Sequence, residues 1–162
     1  MQNMNMEEMI KNYSVGQITW EEIYSVWYNK LWTNRQSLIE PISSMKYLGG
    51  YDKNIKNNTP YFVGARFNGK LVGVNSVFKT ADLEVRSRGI WVDPEHRMSG
   101  IGFAVMDACI ELIKNKENAK SIWSAPRESA LAFYQKCGYT KTSEFTHDGF
   151  EFGPNCYVLK KI

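Results

Sequence analysis

Residues 90–104 read Ile-Trp-Val-Asp-Pro-Glu-His-Arg-Met-Ser-Gly-Ile-Gly-Phe-Ala, and this stretch decides the fold. An apolar run ending at Val92 predicts a strand, and a tight turn containing Gly100 and Gly102 leads into an apolar helical pattern. Backbone N–H groups at a helix start are unpaired and lie at the positive end of the helix dipole, which favours an anion. Glycine removes the Cβ that would hold a phosphate away from the backbone, and Arg97 adds a charged donor. The stretch therefore predicts a turn that binds a pyrophosphate.

Two common nucleotide motifs do not fit this turn. A Walker loop requires Gly-Lys-Ser/Thr, which is absent from the sequence. A dinucleotide fingerprint requires a third small residue, where Val105 stands, and an acidic residue at the end of the next strand, where residues 121–125 have none. A nucleotide-binding protein of another fold is therefore disfavoured.

The first third of the chain has a helical pattern, and the polar stretch 49–60 separates it from a strand-rich remainder. Thr19 is followed three residues later by a glutamate, which is the signature of a capping box, and apolar residues then recur at helical spacing. Residues 13–18 predict a short first strand. A second helix is expected within residues 35–48, interrupted at Pro41.

The remainder of the chain predicts a sheet with helices packed on it. Six runs have the strand pattern, and they cover residues 61–67, 71–78, 84–92, 121–124, 139–145 and 152–159. Asn68-Gly69 between the first two runs is a strong hairpin signal. Helices are expected at residues 101–116 and 129–136. An antiparallel meander followed by β-α-β-α-β-β predicts an α/β (α+β) fold with a mixed sheet.

Length and composition favour one domain. The chain has 162 residues, 43% of them hydrophobic, which is enough for one sizeable core. The longest apolar stretch, residues 101–113, is interrupted by Asp107 and Glu111, so no segment reaches the ~18–20 uncharged residues of a membrane-spanning helix. The net charge of +3 is mild and no basic run stands out. Neither a membrane nor a nucleic acid is an expected partner.

The cysteines predict neither a disulfide framework nor a metal site. Cys109, Cys137 and Cys156 are odd in number and widely spaced, and no Cys-x-x-Cys pair occurs. Only His96 and His147 accompany them, which does not support a zinc site. The expected location is the reducing cytoplasm, and no metal is expected.

The sequence resembles the GNAT superfamily of acyl-CoA-dependent N-acyltransferases. Arg97-x-x-Gly100-x-Gly102, after a strand ending in Val-Asp-Pro-Glu-His, is similar to the acyl-coenzyme A signature of that family. Ala130, Tyr134 and Cys137-Gly138-Tyr139 resemble its Ala-x-x-x-Tyr and the Gly-aromatic pair that follows. The resemblance covers about residues 61–145. It implies a mostly antiparallel central sheet of six to seven strands with helices on both faces.

The resemblance also implies a division of the chain and a role for its parts. One acyltransferase domain would span residues 1–162, with a helical acceptor-side region at 1–60, an acyl-CoA-binding core at 61–145 and a final strand in 146–162. The strand before the loop would splay from its neighbour, and the backbone of Ile90, Trp91 and Val92 would hold the pantetheine arm. The pyrophosphate would be bound by the loop residues Arg97, Met98, Ser99, Gly100, Ile101, Gly102 and Phe103.

The reaction implied is transfer of an acetyl group from acetyl-CoA, the acyl-donor co-substrate, to a primary amine. Tyr134 would contact the coenzyme and protonate the departing thiolate, and its ordinary pKa near 10 suits a proton donor better than a base. The amine would attack the thioester directly in a ternary complex, so no covalent nucleophile is required. The alternative is a non-catalytic acyl-CoA-binding module. The acceptor is open, and the protein is expected to be a monomer or a homodimer.

Two positions depart from the family pattern. Met98 stands where a basic residue or glycine is usual, which removes one phosphate contact. Arg127 stands where many members carry an asparagine, and it either alters a contact to coenzyme A or turns toward the acceptor.

Further residues are candidates for the base and the acceptor pocket. Glu84 begins the third strand and is the candidate general base; a solvated strand end is the alternative, with water or a neutral amine replacing the base. Strand alternation places Arg86 and Arg88 on the face of Glu84. With Arg127 they would line a pocket for an acidic group, or else lie on an exposed strand face.

Aromatic side chains of the first third offer a wall for the acceptor. The helical spacing of Trp20 and Trp27 favours packing in the core. Tyr28 and Trp32 are the better candidates for a cleft. Cys109 lies on the apolar face of the expected helix 101–116 and is expected in the core.

Overall fold

The computed structural model describes residues 12–162; residues 1–11 of the expected helical region lie outside the described part. One seven-stranded sheet has the order β1-β2-β3-β4-β5-β7-β6. The strands are β1 Tyr13–Gln17, β2 Tyr61–Phe67, β3 Lys70–Ala81, β4 Glu84–Val92, β5 Ser121–Ser124, β6 Thr140–Lys141 and β7 Val158–Lys161. Strands β4 and β5 are parallel, and every other neighbouring pair is antiparallel. The expected α+β class with a mostly antiparallel mixed sheet is confirmed.

Helices cover both faces of the sheet, as expected. The helical elements are α1 Trp20–Val26, a π-helical turn Trp27–Leu31, α2 Ile101–Glu117, α3 Leu131–Lys136 and 3-10 turns at Lys53–Asn57, Pro94–His96 and Glu128–Ala130. No helix within residues 12–162 is long and apolar enough to cross a membrane.

The main core lies between the sheet and helices α2 and α3. Ile101, Val105, Cys109 and Ile113 recur every fourth residue of α2, so they share one face and are fully buried against the strands. Cys109 is therefore in the core, as expected. The strands present small and β-branched side chains to this face, among them Val63, Ala65, Val72, Val85 and Ile122.

The opposite face of the sheet is covered by α1 and the chain that follows it. Thr19 caps α1 because its hydroxyl accepts from the N–H of Glu22 at 3.1 Å, while the Glu22 carboxylate accepts from the N–H of Thr19 at 3.1 Å. Trp27 is fully buried, which confirms its expected place in the core, and Trp20 is half-buried beside it.

The helix expected within residues 35–48 is absent, and that prediction was wrong. The segment runs as bends and isolated bridges. Pro41 has no N–H to give a helix and disfavours the helical conformation of the residue before it. Leu48, Gly49 and Gly50 then take positive φ values of 66°, 110° and 81°. Ile42 and Met45 are nevertheless buried, so this irregular chain packs as a cover on the sheet.

The last two strands are shorter than the pattern predicts. Residues 139–145 contribute only Thr140–Lys141, and residues 152–159 are replaced by Val158–Lys161. Beyond the paired part the Ser143 hydroxyl accepts from the N–H of Tyr157 at 2.8 Å, and this side chain takes the place of a backbone carbonyl in the ladder.

Candidate active site

Strands β4 and β5 separate in the middle of the sheet. Their parallel pairing covers only Glu84–Arg86 against residues 121–123, whereas β4 continues to Val92. Strand β5 ends because Pro126 has no N–H to donate to a ladder. Residues 87–92 of β4 therefore have no strand on that side, and the splayed strand that the resemblance implies is present in the structure.

A bulge in β4 lies beside this gap. Against β3, the pairing passes from Val74–Trp91 to Ser76–Arg88, so that Gly89 and Ile90 together oppose the single residue Asn75, and Gly89 has a φ of +77°. A Cβ on Gly89 would lie 2.5 Å from the Trp27 indole ring. The same indole donates its N–H to the Gly89 carbonyl at 2.8 Å, so the bulge and the first third of the chain are locked together.

The hydroxyl of Tyr134 lies at the gap. Ser124, the last residue of β5, donates its hydroxyl to the Ser87 carbonyl at 2.9 Å and lies 3.2 Å from the Tyr134 hydroxyl. Tyr134 is buried, and this burial raises the pKa of its phenol above the usual value of 10. A neutral phenol at neutral pH is therefore held where β4 has lost its partner.

The start of α2 presents free donors next to the gap. The first hydrogen bond of the helix runs from the N–H of Ala104 to the Gly100 carbonyl at 3.0 Å, which leaves the N–H groups of Ile101, Gly102 and Phe103 without a helical acceptor. Gly100 has a φ of +85°, and the position of its missing Cβ has no heavy atom within 4 Å. The space over Gly100 is open to a ligand.

Gly102 differs from Gly100. A Cβ on Gly102 would lie 2.8 Å from the ring of Phe133 on α3, so this glycine permits close packing between helices α2 and α3. The expectation that its missing Cβ opens space for a phosphate was wrong. The Phe133 ring also contacts Phe103, with ring centroids 5.3 Å apart.

The loop before α2 is held at its ends and exposed in the middle. His96 anchors it, since its Nδ1 lies 2.7 Å from the Tyr13 hydroxyl, and Ser99 bonds to the His96 carbonyl. Arg97 is exposed and reaches back to the Val92 carbonyl at 3.4 Å. Met98 is fully exposed with a φ of +65°.

A cavity of about 240 Å³ connects the gap with the opposite face of the sheet. Its lining includes Ile90, Tyr134 and Arg127, which the sequence assigned to the coenzyme, and Trp32 from the first third. Arg86 and Arg88 also line it and are only 8% and 6% exposed, so their place on an exposed strand face is excluded.

Two residues singled out in the sequence lie away from this cavity. Glu84, the candidate base, starts β4 at the far end of the paired part, and its carboxylate accepts from the Thr80 hydroxyl at 2.7 Å. The structure therefore does not bring Glu84 together with Tyr134. Tyr28 is 58% exposed and stacks on Tyr24 at 5.9 Å, so Trp32 alone of the two cleft candidates reaches the cavity.

Sequence reasoning missed the clasp formed by Glu151 at the rim of the cavity. Its carboxylate accepts from the N–H groups of Gln36 and Ser37, at 2.7 and 3.0 Å, and from the Ser37 hydroxyl at 2.7 Å. These hydrogen bonds lower the pKa of Glu151 below its ordinary value of 4.5. No local signal marks this contact, since the partners are more than a hundred residues apart. Among residues 12–162 no group of three His, Cys, Asp or Glu side chains is placed to hold a metal ion.

Comparison with known proteins identifies the class to which this fold and gap belong. The model of the acetyltransferase (GNAT) family matches residues 19–139. Because the match covers most of the chain, the protein belongs to the GNAT family of acetyltransferases.

Three solved structures share its fold. They are Ard1 from Thermoplasma volcanium, a putative N-acetyltransferase from Lactobacillus plantarum and a GNAT-family acetyltransferase from Staphylococcus aureus. Their sequence identities are 20%, 13% and 16%, and their TM-scores are 0.67, 0.68 and 0.64. The alignments cover 93%, 92% and 92% of this chain and 98%, 97% and 98% of the others. At these identities the likeness establishes the fold alone.

Proposed function

We propose that this acetyltransferase transfers an acetyl group from acetyl-CoA to a primary amine by direct attack within a ternary complex. One observation carries the proposal, namely the separation of β4 from β5 with the Tyr134 hydroxyl at the gap. The chain belongs to the GNAT acetyltransferases, and the resemblance to that family implies that the thioester of acyl-CoA lies at the point where these strands separate. Acetyl-CoA supplies an activated acyl group, and the remaining chemistry falls to the chain.

The residues at the gap fit the coenzyme. The backbone of Ile90, Trp91 and Val92 has no strand partner on the gap side, so its polar groups are free to bind the amides of a pantetheine arm. The free N–H groups at the start of α2 suit a pyrophosphate, and Gly100 keeps the approach open. The exposed residues Arg97 and Met98 and the half-buried Ser99 would border the phosphates, with Arg97 supplying the positive charge.

Tyr134 would act as the proton donor to the departing thiolate. Its raised pKa keeps the phenol protonated at neutral pH, so the proton is present when the carbon–sulfur bond breaks. The contact of 3.2 Å to the Ser124 hydroxyl holds the phenol oxygen at the end of β5, beside the gap.

Removal of the proton from the attacking amine is not assigned to Glu84, since this carboxylate lies outside the cavity. Water in the cavity would carry the proton to bulk solvent, or the amine would bind in its neutral form. The cavity provides polar surface for such a water through Ser87 and Ser124.

The division of the chain proposed from the sequence agrees with the cavity lining. Residues 61–145 contribute the gap and the loop, and residues 1–60 contribute Trp32, Arg35 and Met45 to the acceptor side. The segment before the final strand adds Phe150 and Glu151. A cytoplasmic location and a monomeric or homodimeric state stay proposals, the first supported by three free thiols.

Calorimetric titration of the purified protein with acetyl-CoA tests the proposal, with coenzyme A and a nicotinamide dinucleotide as comparators. Saturable binding of the two coenzyme A species alone is the expected result. Thiol release is then measured with a panel of primary amines. No binding of acetyl-CoA would overturn the proposal.

The second candidate is an acyl-CoA-binding module without catalysis, which the lack of an assigned carboxylate base favours. The Tyr134→Phe variant separates the two functions. An enzyme loses turnover and retains coenzyme affinity, whereas a binding module shows no turnover in either form.

A further inference from the structure

Two arginines of β4 are buried at the floor of the cavity. Arg86 lies over the Trp123 ring at 4.7 Å, and Arg88 lies over Trp27 at 5.2 Å and Trp32 at 5.0 Å. The aromatic faces stabilise each cation in part and leave the N–H groups at the rim of the guanidinium unpaired. Both side chains are on the sheet face opposite α2, because residues two apart in a strand share a face.

The hydrogen bonds of Arg86 are incomplete. Within residues 12–162 its Nε and one of its terminal nitrogens are buried without an acceptor, and neither Arg86 nor Arg88 forms an ion pair. Arg88 differs, since it donates to the Glu40 carbonyl at 2.8 Å. A buried guanidinium without an acceptor is costly, and buried polar groups in native proteins are nearly always satisfied. The unpaired donors thus make Arg86 a favourable partner for an acceptor group.

The charges around Arg86 do not neutralise it. Arg35 lies over Trp32 at 4.6 Å at the rim and donates to Ser37 and to the Leu38 carbonyl. Glu151 is the one carboxylate among the described lining residues, and it is already occupied by three hydrogen bonds. Burial lowers the pKa of Arg86 to about 10, which leaves it charged at neutral pH. The cavity thus carries a surplus of positive charge.

The place of Arg86 along β4 relates this charge to the reaction. Arg86 is the last residue of β4 that pairs with β5, and the gap begins at Ser87. Three residues further along, Gly89 is reached after about 10 Å of extended strand. Arg86, Ser87 and Tyr134 line the same cavity. The cavity therefore joins the Arg86 side chain and the gap in one space.

Resting on the proposed function, we infer that the acceptor is a small amine that carries an oxyanion, a carboxylate or a phosphate, and that Arg86 binds this group. The oxyanion pairs with the Arg86 guanidinium where this side chain lines the cavity, with Arg88 and Arg35 adding positive potential. The amine end of the same molecule lies at the gap, where it meets the thioester. Binding of the anion thereby positions the nucleophile, and neutral amines lack this anchor.

Matched pairs of amines test the inference with the full-length protein and acetyl-CoA. β-Alanine is compared with its amide, L-glutamate with L-glutamine α-amide, and O-phosphoethanolamine with ethanolamine. We expect kcat/KM to be at least about 100-fold higher for an acidic member than for its neutral counterpart. The amine of each amide is a weaker base than the amine of the corresponding acid, so a larger fraction of it is in the reactive neutral form. This difference favours the amide and therefore works against the expected preference for the acid. The carboxylate and phosphate pairs distinguish the two sources of the anion.

Arg86 variants assign the preference to this residue. The Arg86→Met variant fills the same volume without charge and is expected to lose the acid preference while still binding acetyl-CoA. Arg86→Lys keeps the charge and should retain part of the preference. Arg66→Met is the matched control, because this arginine pairs with Glu22 outside the cavity and should leave the preference unchanged.

The outcomes separate the inference from the proposed function. Failure of acetyl-CoA to bind overturns both. Equal rates for acids and amides, or an acid preference that survives in Arg86→Met, overturn the anion site alone. Direct titration of the coenzyme A complex with the acidic amines provides a readout without turnover. Absence of binding by every acidic amine of the panel also overturns the site.

Discussion

The two faces of strand β4 use burial in opposite ways. Toward α2, Val85 joins the apolar core, and the Ser87 hydroxyl is satisfied by Asn75 at 3.1 Å. Toward the first third of the chain, Arg86 and Arg88 are equally buried, yet Arg86 keeps donors without partners. On the face toward α2, burial therefore stabilises the fold. On the opposite face, the buried and incompletely paired Arg86 lowers stability and leaves a charged cavity next to the gap.

The segments that cover the two faces of the sheet differ in how regular they are. A regular 17-residue helix, α2, packs its buried face directly on the strands. The opposite side is covered by a π-helical turn and by irregular chain, whose backbone does not follow the sheet closely. A cavity that admits a substrate needs such a cover, because close-packed helices exclude the space. The proposed coenzyme site and the proposed acceptor site thus lie in different regions, and the predictions below test this separation.

The largest effect is expected at the start of α2. Gly100→Val places a side chain in the open space over the helix start and strains a φ of +85°, so acetyl-CoA affinity should fall by about 100-fold or more. Calorimetric titration measures it. Gly69→Val is the matched control, since Gly69 has a φ of +83° and equally open surroundings in the β2–β3 turn. Similar losses in both variants would show that strain, and not occupied space, is responsible.

The next effect concerns the gap. Tyr134→Phe should lower kcat by about 100-fold with little change in coenzyme affinity, because only the proton donor is lost. Burial raises the pKa of Tyr134, so the protonated form persists through neutral pH and the rate should fall only above the ordinary phenol range. The variant should lack this alkaline fall. Tyr28→Phe, at an exposed position, is the control and should retain full turnover.

The free energy of unfolding of variants at Val85 and Arg86 tests the comparison of the two faces of β4 directly. Val85→Ala should lower the free energy of unfolding by about 2 kcal/mol, because it opens a void in the core. Arg86→Met should raise the free energy of unfolding by about 1–4 kcal/mol, since it removes an uncompensated buried charge. Urea denaturation of the two variants, without ligands, gives both values. A loss of stability in Arg86→Met would show that this arginine serves the fold.

The smallest effect is expected at the rim. Glu151→Gln weakens the clasp on Gln36 and Ser37, so hydrogen exchange of these two amides should accelerate with little change in thermal stability. The pKa of Glu151 is lowered in the folded state, so the clasp is at full strength above pH 4.5 and is lost as the pH falls through the lowered value. Wild type at acidic pH should then exchange these amides like the variant. Unchanged exchange would show that the clasp does not order the rim.

The coenzyme side of the molecule could be predicted from sequence because its signals are local. The bounds of β4 and β5 follow from Asp93-Pro94 and from Pro126, which end the strands wherever they are packed. The glycine turn and α2 follow from a few adjacent residues. For Gly102 the sequence could not show that Phe133 faces it, since the contact joins two helices.

The acceptor side depends on contacts between distant segments. The Tyr47 hydroxyl donates to Thr142 at 2.8 Å, and such partners decide the path of a chain that has no periodic pattern. Strand alternation correctly placed Arg86 and Arg88 on one face, yet burial of that face depends on the irregular cover. The family resemblance made Glu84 the candidate base because family members often carry a glutamate near the start of this strand, but here the gap opens only after Arg86.

The lock between Trp27 and Gly89 has a consequence for engineering. The indole fills the space of the missing Cβ and holds the bulge carbonyl, so the chain leaves α1 at a fixed point beside the gap between β4 and β5. The chain between that point and β2 covers the sheet face opposite α2 and is the part that we propose to bind the acceptor. Chimeras that exchange residues 28–52 and keep the Trp27–Gly89 pair are thus a direct route to new acceptors on an unchanged catalytic frame.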